Sequence, residues 1–599
     1  SGGGQGGGAQ GGIGTIRIGL GLGSAGSAAG AAGGKSVRTA VPDAAELTGI
    51  TFKVHLTGPG GTIDRDFGPQ GGTIDVAAGS WDIIVKAYNS EPRLRGLAEQ
   101  TISVAPGGSQ TISVTAVIGV KSEADLMDVL DFFASGLYND SDTSRENLIV
   151  VEQDFDITQF IHIGNPCKYT VIAEPGATRT IRRLSSSGYP AFINVGDGVL
   201  TLGRAGETGK LLFDGQGIAS PGGAGFLQAH SNGSVIIDGN TEITRMQDSN
   251  GYTAILCENR VEMRGGKITN CVSAAVFTDE KGGAVTVNGG QFTMSGGEIS
   301  GNFVTATGAA GGGVLVKGTS SQFTLSGSGK ISDNSASGRG GGVALIGNSQ
   351  FIMSGGEISD NSSDGSGGGV ALGGYGNFSM SGGKISENEA SASGGGVAVT
   401  DHGGFTLNGS AEISENTVTG AVGSGGGVVL TDWGEFDMLG GEISGNTANG
   451  AGGGVYLAAI TGTNTGNRTF TMTGGIISGN TASTGAGGGV FLAGLGMNSD
   501  VVTFTMTGGE ISGNTATMGN GGGVYIGVSS SSNNIFAKQG GTLGPNTAAS
   551  TGKEAYANVS GFPVRTTTAG PGDRLYIKGT TSSAVYVDPI YGDTSSNWI

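Results

Sequence analysis

The chain has 599 residues, of which 124 are glycine and 13 proline, and 31 basic residues stand against 49 acidic ones for a formal net charge of −18. Only 13% of the residues are charged and 36% are hydrophobic, which excludes a charge-rich disordered chain, and the glycines lack the three-residue period of collagen. The negative balance argues against nucleic-acid binding, and the sequence has no run of 18 apolar residues that would predict a membrane-spanning helix.

Residues 1–47 are rich in glycine and alanine, and one short stretch among them has strand periodicity: Ile16, Ile18, Leu20 and Leu22 alternate with small or charged residues. Three interpretations stay open. The strand completes the following domain of the same chain, inserts into a neighbouring molecule and so builds a fibre, or belongs to a disordered surface tether. Because the chain begins at Ser1 without Met, we also expect a processed N-terminus, where a lipid anchor is one option.

Residues 48–120 form the second predicted domain. Stretches with period-2 alternation, such as ITFKVHL, SWDIIVKAY and QTISVTAV, are separated by the turn-forming segments AAGS and APGGS. This spacing predicts a small immunoglobulin-like or transthyretin-like β-sandwich. Such a module usually presents or spaces other domains, and nothing in its sequence suggests chemistry.

Residues 121–599 form the third predicted domain, which begins with the clearest helix of the chain, at 122–135. Ser122 is expected as the N-cap of this helix, and Asp125 stands at the capping-box position. Its apolar stripe consists of Leu126, Val129, Leu130 and Phe133. A lone amphipathic helix before a long β-repeat predicts a cap over the first coil, and a second cap is expected at the C-terminal end.

One motif recurs every 27 to 34 residues from about residue 235 to residue 546. It reads FTMSGGEISGN, continues with a short SA or TA stretch, and ends with GGGV and alternating apolar residues. Each copy is predicted to hold three short strands, roughly FTM, EIS and GVxL, and stacked copies would build three long parallel sheets. The predicted fold is therefore all-β: a right-handed parallel β-helix, or three-sheet solenoid. Helical repeats are excluded because the glycines would interrupt every helix.

Positions that stay constant between copies are expected inside the coils, and variable positions outside. Phenylalanines are expected to stack as an aromatic ladder, isoleucines to form a second interior row, and asparagines to hydrogen-bond from coil to coil. The three structural ladders include Phe292, Phe351, Phe378, Ile299, Ile358, Ile385, Asn302, Asn361 and Asn388. The residue before each isoleucine varies between acidic and basic, so we expect it to face water.

The alternation of GGGV with ISxN resembles the repeats of the polymorphic outer-membrane protein family of bacterial surface adhesins. More broadly, roughly residues 122–590 resemble the pectate-lyase-like β-helix superfamily. The resemblance implies a right-handed parallel β-helix at the cell surface or outside the cell. The chain departs from the adhesin pattern because glycine replaces alanine, and because Ile299 and its equivalents replace phenylalanine.

Acidic residues at one corner of four successive copies are the best candidate metal site in the sequence. Asp333, Asp360, Glu387 and Glu415 would lie about 4.8 Å apart from coil to coil, and would repel one another unless a cation sat between them. A solvated corner is the favoured interpretation, and weak calcium binding is the alternative. No motif for another metal, for a cofactor or for a catalytic centre is present in the sequence.

Three cysteines, Cys167, Cys257 and Cys271, are too few for a disulfide framework in so long a chain. We expect them to be small buried apolar residues. The alternative is that Cys257 and Cys271 meet on neighbouring coils.

Taken together, these patterns predict a non-enzymatic structural or adhesive protein without a cofactor, secreted or displayed at the cell surface. The expected partners are other copies of the chain, joined by strand addition into a homo-oligomer or filament, or a glycan or protein on a surface. Trp433, beside Asp432, is an expected contact point for sugar or protein. The alternative is a polysaccharide lyase or hydrolase on a pectate-lyase-like fold, with its carboxylates in the irregular stretch of residues 165–260.

Overall fold

The computed structural model of the chain describes residues 13–20, 51–59, 61–67, 72–88, 94–105, 109–116, 118–134, 146–164, 166–184, 193–217, 219–220, 225–248, 254–274, 282–458, 467–493, 501–527, 533–549, 555–557, 564–566 and 575–579. The chain divides into two compact units. The first comprises Ser1–Asp156, Gly164–Thr180 and Gly198–Leu211, and the second comprises Ile157–Ile163, Ile181–Asp197 and Leu212–Ile599. The domain boundaries predicted after residues 47 and 120 stay predictions.

Seven strands of the first unit form one hydrogen-bonded sheet in the spatial order β3-β2-β5-β6-β7-β1-β4. The strands are β1 (Ile13–Leu20), β2 (Thr51–Gly58), β3 (Gly61–Phe67), β4 (Gly72–Ala77), β5 (Gly79–Tyr88), β6 (Leu94–Val104) and β7 (Ser109–Ala116). In β2 and β4 buried residues alternate with exposed ones, whereas β3 has no buried residue. The seven strands form one sheet, so the two-sheet sandwich stays a prediction. The buried side chains include Val54, Leu56, Ile74, Val76, Trp81 and Val104.

The N-terminal strand β1 lies inside this sheet, between β7 and β4. It runs parallel to β7 and antiparallel to β4, with six paired residues on each side. In this structure the strand that carries Ile16, Ile18 and Leu20 therefore completes a sheet of its own chain. Leu22 lies outside the described residues.

The predicted helix is observed as α1 (Glu123–Ala134), after the short strand β8 (Ile118–Val120). The backbone N–H of Asp125 donates to Ser122 Oγ at 3.1 Å, and Asp125 Oδ2 accepts the N–H of Lys121 at 2.9 Å. Ser122 is thus the N-cap, as predicted, while the Asp125 side chain bonds the N–H of the residue before the cap instead of that of Ser122, so the arrangement is a variant of the capping box. Leu126 and Leu130 are buried on one side of the helix.

Short strands recur in each coil of the solenoid. Two of them correspond to the FTM and EIS parts of the motif, and we call them the F strand and the I strand. The first coils contain Glu146–Val151, Phe155–Ile157, Lys168–Ala173, Thr178–Arg183, Val199–Leu202 and Lys210–Asp214. The later F strands are Ser234–Ile237, Arg260–Met263, Gln291–Met294, Gln322–Leu325, Gly404–Leu407, Glu435–Met438, Arg468–Met472, Val501–Met506 and Asn533–Lys538. The I strands are Thr241–Thr244, Lys267–Thr269, Glu298–Ser300, Lys330–Ser332, Glu412–Ser414, Glu442–Ser444, Ile476–Ser478, Glu510–Ser512 and Thr542–Leu543. In two coils the F and I strands are one continuous strand, Gln350–Ser359 and Asn377–Ser386.

Two further parallel sheets belong to the second unit. A 12-stranded sheet consists of two-residue A strands: Ala219–Ser220, Gln247–Asp248, Val272–Ser273, Phe303–Val304, Ser335–Ala336, Ser362–Ser363, Glu389–Ala390, Thr417–Val418, Thr447–Ala448, Thr481–Ala482, Thr515–Ala516 and Thr547–Ala548. A 15-stranded sheet consists of V strands: Ile161–Ile163, Ile193–Val195, Leu227–Ala229, Ile255–Cys257, Val285–Asn288, Val314–Lys317, Val343–Ile346, Val370–Leu372, Val397–Val399, Val428–Thr431, Val455–Ala458, Val490–Ala493, Val524–Ile526, Ala555–Ala557 and Val564–Thr566. The all-β parallel solenoid predicted from the repeat is thus confirmed.

The composition of the three sheets differs from the prediction. The F and I strands lie in one sheet, and the third sheet is built by the A strands, which we expected to be a connection. In the pair of continuous strands the register shifts around Ser354, and the following Gly356 has a left-handed φ of 81°. The glycine pair of the motif therefore accommodates a bulge within one sheet rather than a corner between two.

At the C-terminal end the parallel sheets receive antiparallel partners. Val564–Thr566 pairs with the preceding V strand Ala555–Ala557, and Leu575–Gly579 pairs with the F strand Asn533–Lys538. These strands occupy edges of the last coil that would otherwise offer free backbone N–H and C=O groups to another chain.

The interior rows are continuous from coil to coil. Nine phenylalanines stack with ring centroids 4.5–5.0 Å apart and interplanar angles of 5–15°. They are Phe292, Phe323, Phe351, Phe378, Phe405, Phe436, Phe470, Phe504 and Phe536, and all are buried. The isoleucines of the I strands, among them Ile299, Ile358 and Ile385, form a second row with 0% exposure.

Nine buried asparagines form a hydrogen-bonded ladder at the corner that follows the I strands. In all but the last of them, Asn546, the side-chain amide donates to Oδ1 of the asparagine in the next coil at 2.8–3.0 Å. For Asn388, Nδ2 also donates to the backbone carbonyl of Ile358, and Oδ1 accepts both the N–H and the side chain of Asn361. The members of this asparagine ladder are Asn302, Asn334, Asn361, Asn388, Asn416, Asn446, Asn480, Asn514 and Asn546.

Candidate functional site

The acidic row occupies the residue immediately before four of the ladder asparagines. Its members are exposed, and they adopt left-handed φ angles of 58–60°. Gly301 and Gly445 hold the same position in other coils with φ of 63° and 65°, so the corner requires this backbone conformation rather than a carboxylate. Within the described ranges, no three His, Cys, Asp or Glu side chains approach closely enough to hold a metal ion. The row consists of Asp333, Asp360, Glu387 and Glu415.

Chelation is therefore expected to leave folding unchanged. The coils are held by apolar stacking, backbone ladders and the asparagine ladder, none of which needs a cation. We expect the melting temperature of the full chain to be the same in EDTA and in excess calcium. A fall of several degrees in EDTA, reversed by calcium, would show that the acidic row binds a cation.

The residues before the interior isoleucines form a partly exposed row, in which acidic and basic side chains alternate from Lys267 to Glu412. Lys267 Nζ donates to Glu298 Oε2 at 2.6 Å, and Lys384 Nζ lies 3.3 Å from Glu412 Oε1. The hydrogen bond from Lys267 lowers the pKa of Glu298, and the hydrogen bond from Ser414 lowers the pKa of Glu412. These pairs link neighbouring coils on the solvent face.

Acidification is expected to remove the contribution of these two carboxylates. Because their pKa values are lowered in the folded state, their stabilisation is complete above about pH 4.5 and is lost as the pH falls through the folded pKa. A Glu298→Gln/Glu412→Gln variant should melt below the parent at pH 7, and the difference should shrink as the pH falls below about 4.5 and in high salt. Glu510→Gln is the matched control: its neighbours in the row are Ile476 and Thr542, not lysines, so it should melt like the parent at pH 7.

No disulfide joins any of the three cysteines, all of which the structure describes. Cys257 lies on a V strand, whereas Cys271 replaces an asparagine at the start of the ladder, where its N–H donates to Asn302 Oδ1. Burial raises the pKa of each of these two thiols to about 12, so both are un-ionised at neutral pH. The expectation of buried residues holds for Cys257 and Cys271 but not for Cys167, which is half-buried. The alternative pairing of Cys257 with Cys271 is wrong, because neither is in a disulfide.

Three aromatic residues stack on the outside of successive coils, and we call them the external aromatic stack: Tyr375, His402 and Trp433. The ring of His402 lies 4.7 Å from that of Tyr375 and 5.4 Å from that of Trp433, centroid to centroid. Tyr375 is 62% exposed and Trp433 40% exposed, so the stack is open to solvent. Large apolar surface that stays exposed on a folded protein commonly marks a contact site.

The turns between the V and F strands hold these rings in register. The N–H of His402 donates to the carbonyl of Gly374 at 2.8 Å, and the N–H of Trp433 donates to the carbonyl of Asp401 at 2.8 Å. Gly403 follows His402, and a Cβ there would lie 3.1 Å from the interior side chain of Val399, so the turn packs closely on the core. Each coil therefore projects its aromatic side chain outward from the same point.

Carboxylates border the external aromatic stack. Asp401 Oδ2 accepts the N–H of Gly374 at 3.0 Å, while Asp432 precedes Trp433 and Glu435 is exposed on the next F strand. Aromatic rings beside hydrogen-bonding carboxylates suit a ligand with both apolar and polar faces, such as a sugar or a protein side chain. The sequence singled out Trp433 alone, but the spacing aromatic-Gly-x-Phe occurs at all three positions and identifies the stack.

A second surface lies on the outer face of the first V strands, and we call it the polar row: His162, Asn194, Gln228, His230 and Glu258. Asn194 Nδ2 donates to Gln228 Oε1 at 2.7 Å, and Gln228 Nε2 donates to Glu258 Oε2 at 2.6 Å. His162 Nδ1 donates to Asn194 Oδ1 at 3.0 Å, and His230 Nδ1 donates to Glu258 Oε2 at 3.1 Å. Both acceptors carry no proton, so Nδ1 is the protonated nitrogen of each imidazole.

This polar row replaces an apolar layer. In later coils the corresponding outward position holds buried residues such as Leu315, Ala344 and Ala371. In the polar row, by contrast, His162 and His230 are exposed, and each keeps Nε2 free of the hydrogen bonds that fix Nδ1. An imidazole whose Nδ1–H is held by a carboxylate is suited to accept a proton at Nε2.

No described helix has the length and apolar character needed to cross a membrane. Comparison of the chain with protein-family models, with curated proteins and with solved structures finds no match. The structure therefore establishes the parallel β-solenoid. A relation to surface adhesins or to pectate-lyase-like proteins stays a proposal.

Proposed function

We propose that the chain is a non-enzymatic structural and adhesive protein that acts outside the cell, secreted or held at the cell surface. Its solenoid serves as the scaffold, and the external aromatic stack serves as a contact surface for a glycan or protein. Filaments built from several copies are part of this proposal, and a lipid anchor is one way in which the chain would be retained at the surface.

The exposure of the external aromatic stack is the observation that carries this proposal. Among the other aromatic residues of constant position, the nine stacked phenylalanines have 0–2% exposure, and Tyr456, Phe491 and Tyr525 are half-buried. Tyr375 and Trp433 do not contribute to that core, yet the turns keep both in line with His402. Exposed aromatic side chains on a rigid support gain binding energy with little loss of side-chain entropy.

Binding of the full chain to arrays of immobilised glycans and extracellular proteins tests this proposal. A Tyr375→Ala/Trp433→Ala variant is expected to lose binding at least tenfold, while keeping the parent's melting temperature. Phe303→Ala is the matched control. Phe303 is also an exposed aromatic residue, at 46% exposure, but it lies on an A strand and not in the turns that carry the stack. Binding that the double variant retains in full, or a parent that binds no array member, would contradict the adhesive role.

The polar row supports a second candidate, a polysaccharide lyase or hydrolase. Glu258 is its one carboxylate, whereas glycoside hydrolysis normally uses two, so the arrangement suits proton abstraction by His230 better than hydrolysis. Assays of acidic and neutral polysaccharides, with and without calcium, decide between the candidates. Turnover that His230→Gln and Glu258→Gln abolish, in variants with the parent's melting temperature, would replace the non-enzymatic proposal.

A further inference from the structure

The strand β1 is separated from the rest of its sheet by an unusually long connection. Strands β2 to β7 follow one another within residues 51–116, whereas residues 21–50, thirty in number, lie between β1 and β2. Eighteen of these thirty are glycine, alanine or serine, a composition typical of linkers. The sheet therefore receives one of its inner strands from a distant part of the sequence.

The directions of the strands show how little of that connection is needed. β2 is antiparallel to β5, β5 to β6 and β6 to β7, while β1 is parallel to β7. The end of β1 and the start of β2 consequently lie at the same end of the sheet, four strand spacings apart or about 19 Å along it. Thirty extended residues reach about 100 Å, so the connection also permits β1 to reach another molecule.

We propose that β1 is an exchangeable strand, and that the slot between β4 and β7 accepts the β1 of a second copy of this chain. The twelve backbone pairings that hold β1 are the same whichever copy donates it. A donor strand on one side and an acceptor slot on the other make a head-to-tail contact, which continues into a filament unless it closes into a ring. Without a donor, β7 would present an unpaired edge and β4 would lose the strand that pairs it with this sheet.

The proposal also predicts when exchange occurs. A linker of this length gives a chain's own strand an effective concentration of the order of millimolar at its slot. The in-chain arrangement is therefore favoured in dilute solution, and exchange between copies is favoured where chains are crowded to that level. This inference deepens the structural part of the proposed function and is independent of what the external aromatic stack binds.

Disulfide trapping in full-length chains tests the exchange. Thr15 of β1 lies opposite Asp75 of β4 in the sheet register. In a Cys167→Ser background, chains carrying Thr15→Cys are mixed with chains carrying Asp75→Cys and oxidised at increasing concentration. We expect the yield of disulfide-linked pairs of the two different chains to rise with concentration. It should be several-fold higher than in the control mixture, in which Asp82→Cys, on β5, replaces Asp75→Cys. Equal yields with both partners at every concentration would overturn the proposal.

A peptide experiment tests the slot itself. A chain lacking residues 1–22 has no β1, and a synthetic peptide of residues 11–22 is titrated into it by calorimetry. We expect one peptide to bind per shortened chain, and much weaker binding to the parent chain, whose own β1 competes for the slot. A peptide with Ile16→Pro, which removes a backbone N–H from the pairing, should not bind. If the peptide does not bind the shortened chain, and the disulfide yields with Asp75→Cys and Asp82→Cys are equal, β1 is a permanent strand of its own chain and the proposal is wrong. The adhesive role would be unaffected, because it is measured through Tyr375 and Trp433.

Discussion

Replacing Asn388 with leucine is expected to lower the free energy of unfolding of the solenoid by about 3–5 kcal/mol. The substitution removes the acceptor for the N–H and side-chain amide of Asn361, and the donor to the carbonyl of Ile358. These groups are buried, and each buried group left without a partner costs about 1–3 kcal/mol. Because Asn388 is 0% exposed, water cannot replace the lost bonds without opening the corner. Urea unfolding monitored by circular dichroism measures the loss.

Glu387→Asn is the matched control for this prediction. Glu387 is the preceding residue, is exposed and has a φ of 58°, a conformation that asparagine adopts readily. Its substitution should change the free energy of unfolding by less than about 0.5 kcal/mol. If Asn388→Leu and Glu387→Asn unfold at the same urea concentration, the asparagine ladder contributes nothing to the stability of the coils.

Ile385→Asp is expected to destabilise the solenoid by a similar amount, about 3–5 kcal/mol, for a different reason. Ile385 packs between Ile358 and Ile413 of the neighbouring coils, and all three are 0% exposed. A carboxylate there is buried without a partner, and either its desolvation or its protonation costs free energy. Because each coil contacts only its neighbours, we expect hydrogen-exchange protection to fall most in the coils on either side of residue 385.

Ser379→Asp is the control that separates the inner from the outer face of the same strand. Ser379 belongs to the continuous strand Asn377–Ser386 and alternates with the buried Phe378 and Met380. Asp437 already occupies the equivalent outward position in another coil, so aspartate is compatible with this face. Similar losses from Ile385→Asp and Ser379→Asp would mean that the inner and outer faces are assigned wrongly.

The interior of the solenoid could be predicted from sequence because its residues are constrained by identical neighbours. Phe351, Ile358 and Asn361 each touch the same residue type in the next coil, so the packing repeats and the motif repeats with it. The partition into sheets could not be predicted in full. A strand of two residues such as Ser362–Ser363 has no periodicity to detect, and a glycine pair fits a bulge as well as a corner.

The candidate surfaces were harder to predict because they depend on what happens outside the repeat. Tyr375, His402 and Trp433 are three different residue types, and their alignment follows only from the coil-to-coil register of the turns. The polar row comes from coils whose sequence lacks the motif. His162, Asn194 and Gln228 are separated by 32 and 34 residues, which fits the coil period, but without the motif nothing marks them as equivalent positions. The sequence predicted that the four acidic residues form a row. Their left-handed backbone conformation shows that the corner selects for this conformation and not for a carboxylate.

The register of the coils is the feature on which every ladder and surface depends, and a pair of engineered cysteines measures it most directly. Thr406 and Asp437 are paired in successive F strands and both face outward. Neighbouring strands lie about 4.8 Å apart, within the Cα separation that a disulfide spans. In a Cys167→Ser background, Thr406→Cys/Asp437→Cys should form an intramolecular disulfide under mild oxidation, whereas Thr406→Cys/Phe436→Cys, shifted by one residue onto the interior face, should not. Rapid closure of the shifted pair, with the aligned pair left reduced, would contradict the parallel in-register solenoid.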